Sequence, residues 1–298
     1  MSRKIVIEPY FNEGHLIKHH IENLCDYLKP DIYVISEGMF SFGPEGLHKD
    51  IKIKNSIITK YTLDGQGKRS FDFPKLKQVV ADCQKKYPHI EFHILEMDYG
   101  KLDTQRCFEQ AYNGFKKVTE PRPDDIIFPS ECDVFVTKAQ GEIVLKLAKM
   151  LQPNKAFCCS YRLFFESPRV YWKGDKRDSR RIAYRYGTGF LWGNYDGVPG
   201  TDCMYWEDPV YYLGLFHYKW VRPGKYWEFR KNQILRHKAH HIRIEKAKIM
   251  IQNNRHNLDV VKHELKHVFR GRFRLNSLTA EDHPKHFRNH ESFKYYYE

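Results

Sequence analysis

Two carboxylates set two positions apart offer the most specific chemistry in this chain. Across residues 124–137 (DDIIFPSECDVFVT) an apolar run ends in a turn that presents Glu131 and Asp133. Side chains at i and i+2 of an extended segment point the same way, so both can face one divalent cation. Mg²⁺ and Mn²⁺ take such hard oxygen ligands and keep positions open for substrate phosphates. The plainer reading of the pair is two loop residues, or caps for the helix that follows. A second pattern, His263-Glu264-Leu265-Lys266-His267, fits HExxH, in which two histidines share a helix face and Glu264 is the base of a zinc hydrolase. Glu281, His283 or His286 would then be the third ligand. Ten of the 16 histidines lie beyond residue 200, so a chance match is the plainer reading there. Residues 65–70 (GQGKRS) depart from a P-loop, because Thr62 replaces the first glycine and Arg69 the Ser/Thr. They read instead as a basic loop near donor phosphates.

These residues need a frame to hold them, and the first half of the chain supplies one. Residues 4–7 form a short β-branched run. Asn12 is placed to cap a helix whose apolar positions Leu16, Ile17, Ile21, Leu24 and Leu28 recur at three and four. Pro30 ends it, and residues 31–36 (DIYVIS) read as a buried strand. Helices are expected over 73–86, 104–118 and 138–151, with strands over 90–95 and 125–129. Strands separated by helices of this length imply βαβ units and a mostly parallel sheet. Glu131 and Asp133 then follow the C-terminal end of a strand, where open α/β sheets bind ligands. The second half changes character. Residues 155–166, 168–172, 182–186 and 190–194 are aromatic and strand-like. Beyond Gly224 the chain is basic and helical to about residue 270, and 271–298 read as extended or loop-like.

Composition bounds the function. The 298 residues are 41% apolar and 29% charged, which excludes wholesale disorder. No apolar run approaches the ~18 residues of a membrane-spanning helix, and the N-terminus runs straight into a strand without a signal-peptide core. The expected location is the cytoplasm. Seven scattered cysteines without a CxxC fit reduced thiols. The net charge of +13 is one-sided: residues 1–150 balance at 22 basic and 22 acidic, while 151–298 carry 28 basic against 15 acidic. All five tryptophans also lie in the second half. That half is built to meet an anion. Its basic density between 228 and 274 favours a polyanion through counterion release, or is simply a solvated face. Within Gly187-Thr188-Gly189-Phe190-Leu191-Trp192-Gly193-Asn194, Trp192 can stack on a sugar or base of the acceptor; the plainer reading is a core strand.

The order of motifs resembles metal-dependent GT-A glycosyltransferases, in particular the β-1,4-mannosyl-glycoprotein N-acetylglucosaminyltransferase family and its microbial and viral relatives. The matching pieces are Tyr10-Phe11-Asn12-Glu13, Val34-Ile35-Ser36-Glu37 followed by Phe40-Ser41-Phe42-Gly43, Arg106, Asp124-Asp125, and Glu131-Cys132-Asp133 in the D-x-D position. They span roughly residues 5–140. Glu131 departs from the pattern by one methylene, which leaves Asp133 the firmer ligand.

The resemblance implies a Rossmann-type mixed sheet flanked by helices over residues 1–222, with a basic, His-rich, mainly helical region over 223–298. It implies that Tyr10, Phe11, Asn12, Glu13 and Glu37 hold the base and ribose of a nucleotide-sugar, a UDP-sugar being favoured, and that Arg106 orients the donor. Glu13 as a first-turn helix acid and Arg106 as a surface partner of Asp103 or Glu109 are the plainer alternatives. Trp206-Glu207-Asp208-Pro209 resembles the acidic doublet that inverting enzymes place beside the acceptor. Asp208, then Glu207, would take the proton from the attacking hydroxyl, with Asp202 in reserve and Trp206 on the acceptor side. A solvated acidic turn ended by Pro209 is the alternative. Phe216-His217-Tyr218 resembles the late histidine that returns to the metal, against a core histidine between aromatics. Arg222 and Lys225 would then neutralise the leaving diphosphate. The expected enzyme uses Mn²⁺ or Mg²⁺ with Glu131, Asp133 and His217. Its acceptor is a hydroxymethylated pyrimidine in DNA of the phage or viral type, or a glycan, lipid or protein. A nucleic-acid-binding module without catalysis and the zinc hydrolase are the alternatives from other classes.

Overall fold

The computed structural model describes residues 2–37, 70–97, 111–173, 179–187, 209–223, 226, 238–268 and 275–297. The fold is mixed α/β, with a central mixed sheet flanked by helices, as expected. The first half alternates β1 (Lys4–Tyr10), α1 (Ile17–Leu28), β2 (Ile32–Glu37), α2 (Phe73–Lys86) and β3 (Glu91–Glu96). Then come β4 (Ile126–Pro129), β5 (Val134–Phe135) and α3 (Lys138–Lys149). The sheet runs β10 (Leu275–Ser277), β7 (Ser167–Lys173), β6 (Ala156–Phe165), β8 (Arg180–Arg185), β4, β1, β2, β3, with β9 (Val210–Trp220) beside β5 and β6. Strands β4, β1, β2 and β3 are mutually parallel. In register, Tyr10 sits opposite Glu37 and Ile7 opposite Pro129. The C-terminal ends of β1, β2 and β4 therefore finish on one edge, where open α/β sheets present ligand sites.

Why β1 and β2 carry apolar residues on both faces is plain from their two covers. On one face Val6, Tyr33 and Phe128 pack under α1, α2 and α3 through Ile21, Leu24, Leu76, Val80 and Val144. On the other, Ile5, Ile7 and Val34 pack with Tyr112 and Phe115. A strand buried on both faces has no reason to alternate. Helix α1 starts later than an Asn12 cap would place it. Leu16 holds the N-cap position, while Asn12 adopts φ +54°, a region asparagine tolerates better than most residues. Its Oδ1 accepts the Phe71 amide at 2.7 Å. The expected helix over 104–118 is described from residue 111, where a helical turn leads into a 3₁₀ turn (Gly114–Lys117). Residues 190–194 lie outside the described residues.

In the second half β6 (Ala156–Phe165) is long enough for three neighbours. Strand β8 (Arg180–Arg185) lines its start, β7 (Ser167–Lys173) its end, and β9 (Val210–Trp220) runs parallel along most of it. Two helices, α4 (Lys238–Asn253) and α5 (Leu258–Val268), pack Ala247, Ile251, Val261 and Leu265 against Phe165 and Val170. No helix among the described residues is long and apolar enough to cross a membrane. The five described cysteines, 25, 83, 132, 158 and 159, are buried and form no disulfide.

Residues beyond 271 are more structured than their weak periodicity suggests. Strand β10 (Leu275–Ser277) extends the sheet on β7, and α6 (Glu291–Tyr297) closes the described chain. Both elements are too short to show a period; aromatic and histidine contacts hold them. Phe287 stacks on Tyr218 at 3.5 Å between ring centres. His283 bonds the Tyr218 hydroxyl at 2.7 Å and the Tyr297 hydroxyl at 2.9 Å. His286 meets Asp26 of α1 at 2.8 Å. Burial drives the pKa of His283 down to about 3, and burial with the neighbouring His19 does the same for His290. Both are neutral in the fold and titrate near 6.5 when unfolded. The unfolded chain therefore binds more protons between about pH 6.5 and 3, and stability falls as the pH drops through that window. The expected loss is about 1.4 kcal/mol per pH unit for each histidine, read from urea unfolding at pH 7.5 and 5.0. Equal stability at the two pH values contradicts it.

Candidate metal centre

The turn after β4 delivers the two carboxylates. Ser130 donates its amide to Ile7 at 2.8 Å, and Val134 closes back on the Glu131 carbonyl at 2.9 Å. The two-residue strand β5 then pairs antiparallel with β9, setting Val134 opposite His217. The Tyr218 amide donates to the Asp133 carbonyl at 2.8 Å. This pairing carries His217, 84 positions along the chain from Asp133 by number, into the acidic turn. Glu131, Asp133 and His217 each offer a ligand atom, all within 4.8 Å of one another. His217 Nε2 stands 3.2 Å from Asp133 Oδ1 and 3.7 Å from Glu131 Oε2. Neither approach has hydrogen-bond geometry, and both ring nitrogens of this buried imidazole lack a hydrogen bond. Buried polar atoms are normally bonded, and donors around one cation sit about 3 Å apart. The carboxylates do not cap α3, since Thr137 does so in a capping box with Gln140.

The donor set can be matched to an ion by its chemistry. Two carboxylates and an imidazole form a mixed oxygen and nitrogen donor set that can hold a divalent transition metal, whereas Mg²⁺ prefers oxygen alone. Asp133 and His217 are buried, while the Glu131 side chain is 29% exposed, so the centre opens on the Glu131 side. Glu131 also lines a cavity of about 30 Å³ whose wall is mostly apolar, including Leu24, Leu28, Phe128 and Leu215, and to which neither Asp133 nor His217 contributes. Arg180 Nε lies 3.9 Å from Glu131 Oε1.

Arg222 ties this centre to the turn after β1. Its guanidinium is buried and forked, with Nη2 donating to Asp133 Oδ2 at 2.8 Å and Nη1 to Glu13 Oε2. Burial opposes the charge, but Glu13 and then Asp133 outweigh it, and the pKa of Arg222 is raised. One oxygen of Asp133 is thereby fixed to arginine and the other turned to His217. Glu13 is thus a partner of Arg222 rather than simply a helix-dipole acid. Arg222, expected at the leaving diphosphate, has its charge balanced by two carboxylates.

The remaining residues expected on the donor side interlock around the same turn. Tyr10 is buried and Phe11 half-buried. Glu37 Oε1 accepts the Ser70 amide at 2.8 Å, the Asn12 amide donates to Ser70 Oγ at 3.1 Å, and Gly14 donates to Asp72 Oδ2 at 2.6 Å. A Cβ on Gly14 would lie 2.5 Å from that oxygen and would push the Asp72 carboxylate from its place. His15, absent from the sequence expectations, packs against Tyr226 with ring centres 4.3 Å apart and planes tilted by 33°. Burial, then Arg222 and His290, hold its pKa well below the usual histidine value. Its position beside the Phe11-Asn12-Glu13 motif was the available signal. Tyr10, Phe11, Asn12, Glu13, Glu37, Glu131, Asp133, His217 and Arg222 are all described; Arg106, Trp192, Asp202, Trp206, Glu207, Asp208 and Lys225 lie outside the described residues, as do positions 65–69. Of the HExxH segment, His263 and Glu264 lie on α5 and the His267 side chain is not described. Of its candidate third ligands Glu281, His283 and His286, the two histidines are committed to the contacts given above.

No protein-family model and no curated protein sequence matches the chain. Among solved structures it is similar to a 4-diphosphocytidyl-2C-methyl-D-erythritol synthase, at 9% identity and a TM-score of 0.33, over 62% of this chain and 76% of that one. It is also similar to the Francisella tularensis 2-C-methyl-D-erythritol 4-phosphate cytidylyltransferase, at 12% identity and a TM-score of 0.30, over 62% and 74%. At that level of similarity the reading of the site rests on its own residues.

Proposed function

We propose that the chain is a metal-dependent glycosyltransferase of the GT-A type, moving a sugar from a nucleotide-sugar, a UDP-sugar by preference, to an acceptor hydroxyl with inversion. The observation that carries this reading is the convergence of Glu131, Asp133 and His217 at the C-terminal edge of parallel strands, beside the turn at residues 10–13. In this reading Glu131, Asp133 and His217 hold Mn²⁺ or Mg²⁺. When bound, the ion supplies positive charge to the diphosphate leaving group. Arg222 keeps Asp133 turned toward His217 and ties it to Glu13. The 10–13 turn and Glu37 line the nucleoside side, with Arg106 and Lys225 toward the phosphates. Asp208, with Glu207 second, removes the acceptor proton, and Trp192, Trp206 and Asp202 face the acceptor. Residues 1–222 carry the transferase chemistry and 223–298 the basic region.

The acceptor we assign is a hydroxymethylated pyrimidine in DNA, supported by the excess of 28 basic over 15 acidic residues in 151–298. The test is release of the nucleoside diphosphate from UDP-, GDP- and CMP-sugars with Mn²⁺. DNA containing 5-hydroxymethylcytosine, unmodified DNA and oligosaccharides are offered as acceptors in separate reactions. Metal-dependent release with sugar found on the modified base is expected. Sugar on the oligosaccharide instead overturns the acceptor assignment, and no release with any pair overturns the transferase reading.

A further inference from the structure

Directly behind the acidic turn lies a carboxylate that plays no part in the mechanism above. Glu8 is wholly buried in β1, between the apolar Ile7 and Pro9. A buried carboxylate is costly unless its oxygens are bonded. Both are: Oε1 accepts the thiol of Cys132, and Oε2 accepts the hydroxyl of Tyr33. His20 Nε2 stands 3.3 Å from Oε2 and also meets Ser130 Oγ at 3.1 Å. Tyr112 donates from the far side to the Ser130 carbonyl at 3.1 Å. The network thus reaches Ser130 and Cys132, residues on either side of Glu131 and next to Asp133. Tyr33, His20 and Cys132 are themselves buried. Cys132 points inward while its two neighbours point toward His217.

We infer that Glu8 is a positioning residue of the metal centre, acting through Cys132: it anchors the middle of the Glu-Cys-Asp turn so that the flanking carboxylates are aimed before an ion arrives. The inference rests on the metal reading of Glu131, Asp133 and His217 and adds a residue that touches no ligand. Partners behind ligating groups commonly change metal affinity 10–100-fold when lost. The chemistry requires a hydrogen-bond donor at 132 and an acceptor at 8, which a role in packing alone does not.

The experiment is Mn²⁺ titration by calorimetry on the full chain, with melting temperature recorded for each protein. Cys132→Ala, which loses the donor, is expected to bind Mn²⁺ at least 10-fold more weakly. Cys132→Ser, which keeps a donor, should stay within about 3-fold of the wild type. Glu8→Gln retains a carbonyl acceptor and should fall between them; it also covers the case in which Cys132→Ala does not fold. Wild-type affinity in Cys132→Ala, or equal weakening in Ser and Ala, overturns the inference while leaving the metal centre standing. A wild-type protein that binds no Mn²⁺ overturns the metal reading and this inference with it.

Discussion

Asp133→Asn is expected to abolish tight Mn²⁺ binding and to lower sugar transfer ~10²–10³-fold, the size of effect seen when one electrostatic element of a preorganised site is lost. The substitution keeps the shape of the side chain and removes its charge. Oδ1 faces His217 Nε2 at 3.2 Å and Oδ2 accepts from Arg222 at 2.8 Å, so both the ion and the arginine lose a carboxylate. The first loss acts on metal affinity. The second acts on the fold and is expected to cost about 1–3 kcal/mol, the usual range for a charged hydrogen-bond partner. The two are separable, because folding is read by denaturant unfolding without metal and binding by titration. His217→Ala should weaken Mn²⁺ binding without that stability loss from the arginine. Wild-type metal affinity in Asp133→Asn would remove Asp133 from the centre.

Arg222→Met is expected to be the more damaging change to the fold. Methionine fills a similar volume but leaves Glu13 and Asp133 facing each other without the cation that both now contact. Removing one member of a buried ion pair typically costs ~3–5 kcal/mol, because the partner charges stay buried. For a chain of this size that is a fall in melting temperature of roughly 5–8 °C. Arg222→Lys should lie between, since an ammonium on a flexible stem does not reproduce the two-pronged geometry of a guanidinium. Added Mn²⁺ should restore part of the melting temperature in the methionine variant by placing a cation at Asp133. A melting temperature unchanged from the wild type would mean that the Glu13–Arg222–Asp133 bridge contributes nothing to stability.

How much of this was legible from residues alone depended on distance along the chain. The strand over 125–129 and the turn carrying Glu131 and Asp133 were readable because an apolar run followed by acidic-x-acidic is a local pattern. So were α2 and α3, whose buried positions recur within one helix. His217 was reached by resemblance and not by pattern, because β5 has only two residues and shows no period. The bond of Arg222 to Glu13 spans 209 positions, and nothing local marks either residue as the other's partner. Glu8 was silent for the same reason: a lone acid in an apolar strand declares itself only when Tyr33, His20 and Cys132 close around it. The start of α1 was misplaced because Asn12 is a common cap type, yet its side chain serves Phe71 instead. The C-terminal residues 275–297 were read as loose because aromatic and histidine packing leaves no periodic trace.

Thermal unfolding in the presence of UDP-, GDP- and CMP-sugars, each with and without Mn²⁺, tests the central claim most directly. A ligand at 100 times its dissociation constant adds about 2.7 kcal/mol to the folded state, a rise of roughly 4 °C for a chain of this size. We predict such a rise with a single nucleotide class, a UDP-sugar, that requires Mn²⁺ and disappears in Asp133→Asn. A protein whose melting temperature is indifferent to every nucleotide-sugar, with or without Mn²⁺, would contradict the assignment of Glu131, Asp133 and His217 to a nucleotide-sugar site.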